Sequence, residues 1–315
     1  SGHGTLMASI SAGSYTDGYV GVAPGAELLV VKLKQSKQYL RDFFLIKDDV
    51  PAFEESDIML ALRFLEDYAI RLGKPLIIIF GLGSANGSRT GASPLAEMME
   101  NLTKKPNISV ITCMGNEANN KCHYKGTVMS ALVPDVMEIN VDGTGKGFTM
   151  EIWADSLDIL SVSIESPSGE YVPRIPARMG ASMEYTFLYE GSTVTVDYQI
   201  TENVAGMEVI FVRLKTPVEG TWKFYIYSLT NIKGSYNAWL PLKQFSGQDI
   251  YFLKSDPDTT LTVPAAADGV ISVGAYNHYT GAAYYESGRG YSADGRIKPD
   301  FVAPGAGVYG IAPSG

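Results

Sequence analysis

The chain is poor in several features that would narrow its function at once. It has two cysteines, Cys113 and Cys122, in 315 residues. That is too few for a disulfide framework, and the pair reads as two free thiols rather than one bridge. Basic residues are outnumbered, with 25 Lys and Arg against 34 Asp and Glu and a net charge of -9. No basic stripe is available to neutralise phosphates, which argues against a nucleic-acid partner and equally against an anionic membrane surface. No apolar run approaches the ~18 residues of a membrane span. The longest, LIIIF at 76–80, suits a strand buried on both faces. No secretory signal, internal repeat or low-complexity segment is visible.

What is present is ordinary globular composition, 45% hydrophobic and 19% charged. At this length the chain can bury a sizeable core, as one large α/β domain or two ordinary ones. Two textures alternate. Up to about residue 126 the pattern is α/β: ELLVVKL (27–33) as a strand, a helix over 56–73 with Ser56 as cap and Gly73 as stop, PLIIIF as a strand, a helix over 93–104 capped by Ser93 with Pro94 behind it, and ISVITC (108–113) as a strand. Strands separated by helices predict a parallel sheet.

Over 127–258 helix periodicity vanishes. FTMEIWA, LDILSVSIE, STVTVDYQI, MEVIFVRLK and TWKFYIYSL follow one another, separated by turn signals SPSG, EGS, VEGT and NIKG. This predicts an all-β sandwich of jelly-roll type, inserted into the α/β domain. The first texture returns over 259–315, with GVISVGAY and KPDFVAPG as strands.

Three stretches could carry chemistry. His3 stands in GHGT at a helix start, where an imidazole could serve as general base. HGT alone reads more often as a structural histidine. Asn116, in MGNEANN, follows the ISVITC strand, and ligand sites in open α/β sheets form beyond the carboxyl ends of strands. Its carboxamide could meet a developing oxyanion, or could simply bond its own turn. FGLGSANGS follows PLIIIF at another strand end and could offer backbone to a peptide as an added strand. It fits neither GxxxxGK[ST] nor GxGxxG, so it is no phosphate loop. His123 beside Cys122 does not make a tetrahedral metal site and reads as a loop residue, and His278 reads as solvent-facing. Trp153, Trp222 and Trp239 read as sandwich core or sheet surface.

Taken in order, GHGTLMASISAG, GVAPGAELLVVKL, ISVITCMGNE, VPAAADGVISVGAYN and KPDFVAPG resemble the successive blocks of the subtilase family of serine peptidases. The likeness covers 1–125 and 260–315. VKLKQSKQYLRDFF and the inserted sandwich resemble more narrowly the clostridial Csp-type subtilases associated with spore germination.

The resemblance implies a triad in the chain order Asp, His, Ser, with His3 as its histidine and Asn116 as the oxyanion-hole amide. The Asp is then expected upstream of residue 1 and the Ser downstream of Gly315, so the chain alone is expected to be inactive. It also implies that Gly81, Leu82 and Gly83 pair with the substrate, and that Thr112, Cys113, Met114 and Gly115 stand at the pocket for the residue before the scissile bond. Gly81 replaces the family's usual Ser, and the side chains of Thr112, Cys113 and Met114 exceed its small alanines and are expected to narrow that pocket. No cofactor is implied. Calcium is common in the family, but no EF-hand-type loop occurs and the sequence assigns no ligands to it. The expected partner is a peptide or protein substrate, in a secreted or spore-associated setting. Self-association through an exposed sheet edge is a further expectation. Two rival readings share the resemblance: a catalytically dead subtilase acting in signalling or ligand sensing, and a binding role for the sandwich.

Overall fold

Helix starts and stops follow local chemistry. Ser93 Oγ accepts a hydrogen bond from the Ala96 N–H at 3.1 Å, and Pro94 supplies the fixed φ of a first helical position. Gly73 ends the preceding helix at φ +64, a left-handed conformation that a residue without Cβ adopts at little cost. The computed structural model describes residues 2–16, 18–154, 159–178, 180–200, 207–229 and 234–311. Its α-helices are α1 (His3–Ala12), α2 (Gln38–Phe43), α3 (Glu55–Leu72) and α4 (Pro94–Thr103). Ser56 does not cap α3. The helix begins one residue earlier, with Glu54 in the extended N-cap conformation and Ser56 inside the first turn.

The strands are β1 (Leu76–Phe80), β2 (Ile108–Cys113), β3 (His123–Val128), β4 (Asp135–Asp142), β5 (Gly147–Ala154), β6 (Leu160–Glu165), β7 (Tyr171–Ile175), β8 (Ser182–Thr186), β9 (Thr193–Ile200), β10 (Glu208–Lys215), β11 (Gly220–Ser228), β12 (Gly234–Trp239), β13 (Asp249–Phe252), β14 (Ile271–Asn277) and β15 (Phe301–Ala306). Four of them form a parallel sheet in the order β1-β2-β14-β15. Helices α3 and α4 cover one face, where Leu62, Leu95, Met99 and Leu102 pack with Ile78, Phe80 and Val110. The other face of β1 is open: Ile77 and Ile79 are 65% and 47% exposed. The expectation that LIIIF is buried on both faces is therefore corrected. Cover on one side imposes alternate burial on a uniformly apolar strand, because successive side chains point to opposite faces.

Residues 27–33 form no strand. Leu28 and Val30 stand exposed, and among the described residues β1 pairs only with β2. A β-prone composition does not supply a ladder partner, and without one the segment stays extended and unpaired.

The remaining strands make two antiparallel sheets, in the orders β3-β12-β5-β10-β9-β8 and β13-β4-β11-β6-β7. Their inward faces form one core that includes Met137, Ile139, Phe148, Ile152, Val162, Val196, Val212, Trp222 and Phe224. Strand β11 shows how the sequence sets this. Trp222, Phe224 and Ile226 are fully buried while the alternate residues Lys223, Tyr225 and Tyr227 are only partly covered. Each apolar side chain buried in this way contributes roughly 1.5–3 kcal/mol. Of the turn signals, NIKG falls largely outside the described residues. Both cysteines are free. No helix among the described residues is long and apolar enough to cross a membrane.

His123 is not a loop residue. It opens β3, is fully buried, and stacks on Trp239 with ring centroids 5.0 Å apart. Its Nδ1 lies 3.2 Å from the Asp256 carbonyl and its Nε2 3.0 Å from Asn237 Oδ1. Burial holds its pKa below the ordinary histidine value.

Candidate active site

The site is assembled from loops that leave adjacent strand ends. β1 and β2 run parallel with Phe80 opposite Thr112, so Gly81–Gly83 and Cys113–Asn116 emerge side by side at the carboxyl edge of the sheet. β14 continues the edge, with Val273 opposite Cys113.

His3 is the first residue of α1, and its Nε2 lies 3.1 Å from the Gly81 carbonyl oxygen. A carbonyl only accepts, so in this arrangement Nε2 carries the proton and donates it. Gly81 leaves room for this approach. A Cβ there would stand 3.3 Å from His3 Nε2 and 3.3 Å from the Met7 methyl. The ring itself is exposed.

Gly115 turns at φ +83, which carries the chain out of β2 toward Asn116. Three hydrogen bonds fix the turn: Met114 N–H donates to Val273 O, Thr262 N–H to Met114 O, and Gly288 N–H to Gly115 O. Asn116 is exposed, and its backbone oxygen accepts from Asn120 Nδ2 at 3.1 Å. Its carboxamide has no partner among the described residues and is free to meet an incoming group.

The structure separates the residues expected at the pocket. Cys113 is half-buried, with Sγ 3.8 Å from Leu82 O, so one wall rests on the other. Burial raises its pKa, which keeps it a thiol. Thr112 and Met114 point into the interior, and Met114 packs with Leu261, Ala265 and Ala266. The residue standing between the walls is Thr262, which touches both Gly83 and Gly115. It lies in LTVPAAADG, part of a block quoted for its family likeness, but nothing in its spacing marks it. No cluster of three or more metal-ligating side chains occurs among the described residues.

Residues 1–140 and 218–313 match the model of the subtilase family. The chain belongs to the subtilase family. The stretch of this subtilase between the two matched parts, residues 141–217, lies within the two antiparallel sheets, and the match itself extends into those sheets on both sides. The chain is similar in structure to the CspB protease of Clostridium perfringens, with a TM-score of 0.84 and 25% sequence identity over 99% of this chain. It spans 64% of the length of that protein. No curated protein matches the chain in sequence.

In this subtilase the loop after Gly81–Gly83 is tied to the antiparallel sheet of β5 and β12 by a polar cluster that sequence reasoning missed. Arg89 is 3% exposed, stacks over Trp239 at 4.6 Å and donates from Nη1 to Gly87 O at 2.6 Å. Glu151 of β5 accepts from Gly87 N–H and from Trp153 Nε1. Burial pulls the Arg89 pKa down to about 10 and pushes the Glu151 and Glu117 carboxyls up.

Proposed function

We propose that the chain contributes the histidine and the oxyanion-hole amide of a serine endopeptidase site. The observation that carries this is the seating of His3 Nε2 on the Gly81 carbonyl, directly beyond β1, whose parallel neighbour β2 leads into Gly115–Asn116 at the same sheet edge. Gly81–Gly83 supplies extended backbone to which a peptide adds as a strand. Asn116 donates its amide to the carbonyl oxygen as the scissile carbon becomes tetrahedral.

His3 acts as base once Nε2 gives up the proton it shares with Gly81 O. A carboxylate accepting from Nδ1–H selects that tautomer, and the imidazole then takes the proton of a serine hydroxyl and returns it to the leaving amine. In this reading both of those partners come from residues outside this chain, and the activity is that of the full-length protein. The two antiparallel sheets are read as a jelly-roll-like sandwich over 127–258, inserted between α/β parts 1–126 and 259–315.

The test uses the full-length protein and a chromogenic peptide. Turnover blocked by a serine-directed inhibitor is expected, with His3→Ala lowering it by roughly 10⁴-fold or more. Undiminished turnover in His3→Ala overturns the reading. A full-length protein that binds peptide but never cleaves it supports a catalytically dead subtilase.

A further inference from the structure

Ser9 stands on α1 beyond His3, about 9 Å along the helix axis from it. The residue is 8% exposed, and three hydrogen bonds meet at its hydroxyl. Their directions are forced by the partners. The Leu6 carbonyl, 2.8 Å away, only accepts, so it takes the hydroxyl proton. The Ile311 N–H, 2.9 Å away, only donates, so it points at the Ser9 oxygen. The remaining lone pair faces the Tyr19 hydroxyl at 3.3 Å. The bond to Ile311 joins residues 302 positions apart in the chain. The two segments touch closely beside it. A Cβ on Gly310 would lie 2.5 Å from Leu6 Cδ1 and 3.0 Å from both Ser9 Oγ and Ile10 Cγ1. Residues 310–311 therefore lie directly against the face of α1 that Leu6, Ser9 and Ile10 share.

We infer that Ser9 is a positioning residue: it fastens the helix that carries His3 to the segment at 310–311, and so sets where the imidazole stands relative to the chain that follows. The inference rests on the reading of His3 as the base of a serine peptidase whose nucleophile comes after Ile311. A general base has to stand within about 2.6–3.2 Å of the hydroxyl it deprotonates, and a misplacement of about 1 Å costs roughly 10²-fold in rate. An α-helix carries a displacement of one turn to the next, because its hydrogen bonds fix the rise between residues. A shift of α1 at Ser9 is therefore also a shift at His3. Without the hydroxyl, the Ile311 N–H loses the acceptor described for it, and the joint is left to packing of Gly310 against Leu6 and Ile10. None of the side-chain hydrogen bonds described for Ser9 reaches Gly81–Gly83 or Asn116. Its effect therefore falls on the chemical step rather than on peptide binding.

The experiment takes the full-length protein, a chromogenic peptide and the variants Ser9→Ala, Ser9→Thr and Tyr19→Phe, each shown to be folded by a circular dichroism melt. Ser9→Ala is expected to lower kcat by roughly 10–100-fold and to leave KM within about twofold. Ser9→Thr keeps an oxygen that can make the same bonds and is expected to recover most of that loss. Tyr19→Phe removes only the longest of the three bonds and is expected to leave kcat within about twofold of wild type. The joint itself is read without turnover, by hydrogen-exchange mass spectrometry over residues 306–311, which are expected to exchange faster in Ser9→Ala while β2 does not change. A wild type that cleaves, beside a Ser9→Ala variant with undiminished kcat, removes this inference and leaves the endopeptidase reading standing. A loss confined to KM, a loss that Ser9→Thr does not recover, or exchange over 306–311 that Ser9→Ala leaves unmoved also overturns the inference. A wild type without turnover removes the endopeptidase reading, and exchange alone then decides the joint: faster in Ser9→Ala supports it, and unmoved overturns it.

Discussion

Glu151, on a strand of the sandwich, accepts a hydrogen bond of 2.8 Å from the backbone N–H of Gly87, in the loop that continues from Gly81–Gly83. The carboxylate is shared with Trp153, and Arg89 brings an opposite charge close enough to favour its ionised form. The antiparallel sheet thus grips the backbone that leads out of the proposed substrate strand. Side chains far apart in sequence make this joint, so the two halves of the chain cannot be mechanically independent there.

Glu151→Leu removes the only acceptor described for Gly87 N–H and takes away one of the negative groups near the buried Arg89, leaving Glu117 as the other carboxyl. Urea denaturation is expected to show a loss of about 1–3 kcal/mol, the usual cost of leaving a buried donor without its acceptor. Glu151→Gln retains an acceptor oxygen and is expected to lose less. Equal, small losses in both would mean that the joint contributes little to stability.

Asn116→Ala is expected to lower kcat of the full-length protein by 10²–10³-fold, about 3 kcal/mol in the barrier. Because Asn116 is exposed and its carboxamide has no partner among the described residues, the melting midpoint should hardly move. Steady-state kinetics beside a thermal melt separates the two effects.

His123 gives stability a pH dependence of definite sign. Its folded pKa lies below the ordinary 6.5, so its contribution is complete above that value and is lost as pH falls from there toward the folded pKa. Glu117 and Glu151, both raised above 4.5, act in the opposite sense: stability they supply when protonated is lost as pH rises through their folded values. Chemical denaturation of wild type and His123→Gln isolates the histidine. Between pH 7 and about pH 5 the variant should lose less stability than wild type.

Residues 27–33 should exchange amide hydrogens quickly in this chain, while β2, paired on both sides, is strongly protected. Hydrogen-exchange mass spectrometry resolves the two segments. Slow exchange over 27–33 would show that it has found a partner strand, including one from a second copy of the chain, which is the form that edge-mediated self-association would take.

Much of the fold was legible because its signals are local. Ser93-Pro94 and Gly73 mark helix boundaries through bonds and dihedrals within a few residues. The alternation around Trp222 and Phe224 states which face is inward without reference to any other strand. His3, Asn116 and the glycines of 81–83 could be named because they belong to short motifs at strand ends.

Other features depend on partners distant in the chain, and sequence texture is silent about those. LIIIF is equally apolar on both faces, and only the placement of α3 and α4 decides that Ile78 and Phe80 are covered while Ile77 and Ile79 are not. ELLVVKL has strand composition, yet the absence of a ladder neighbour among the described residues leaves it unpaired. His123 looked like a loop residue until Trp239, Asn237 and Asp256 closed around it. The sequence by itself determined periodicity, the Ser93 cap, the Gly73 stop and motif order. Tertiary structure alone decided which faces are covered and that Thr262 stands between Gly83 and Gly115, because burial and steric contact arise only when segments remote in the chain are brought together.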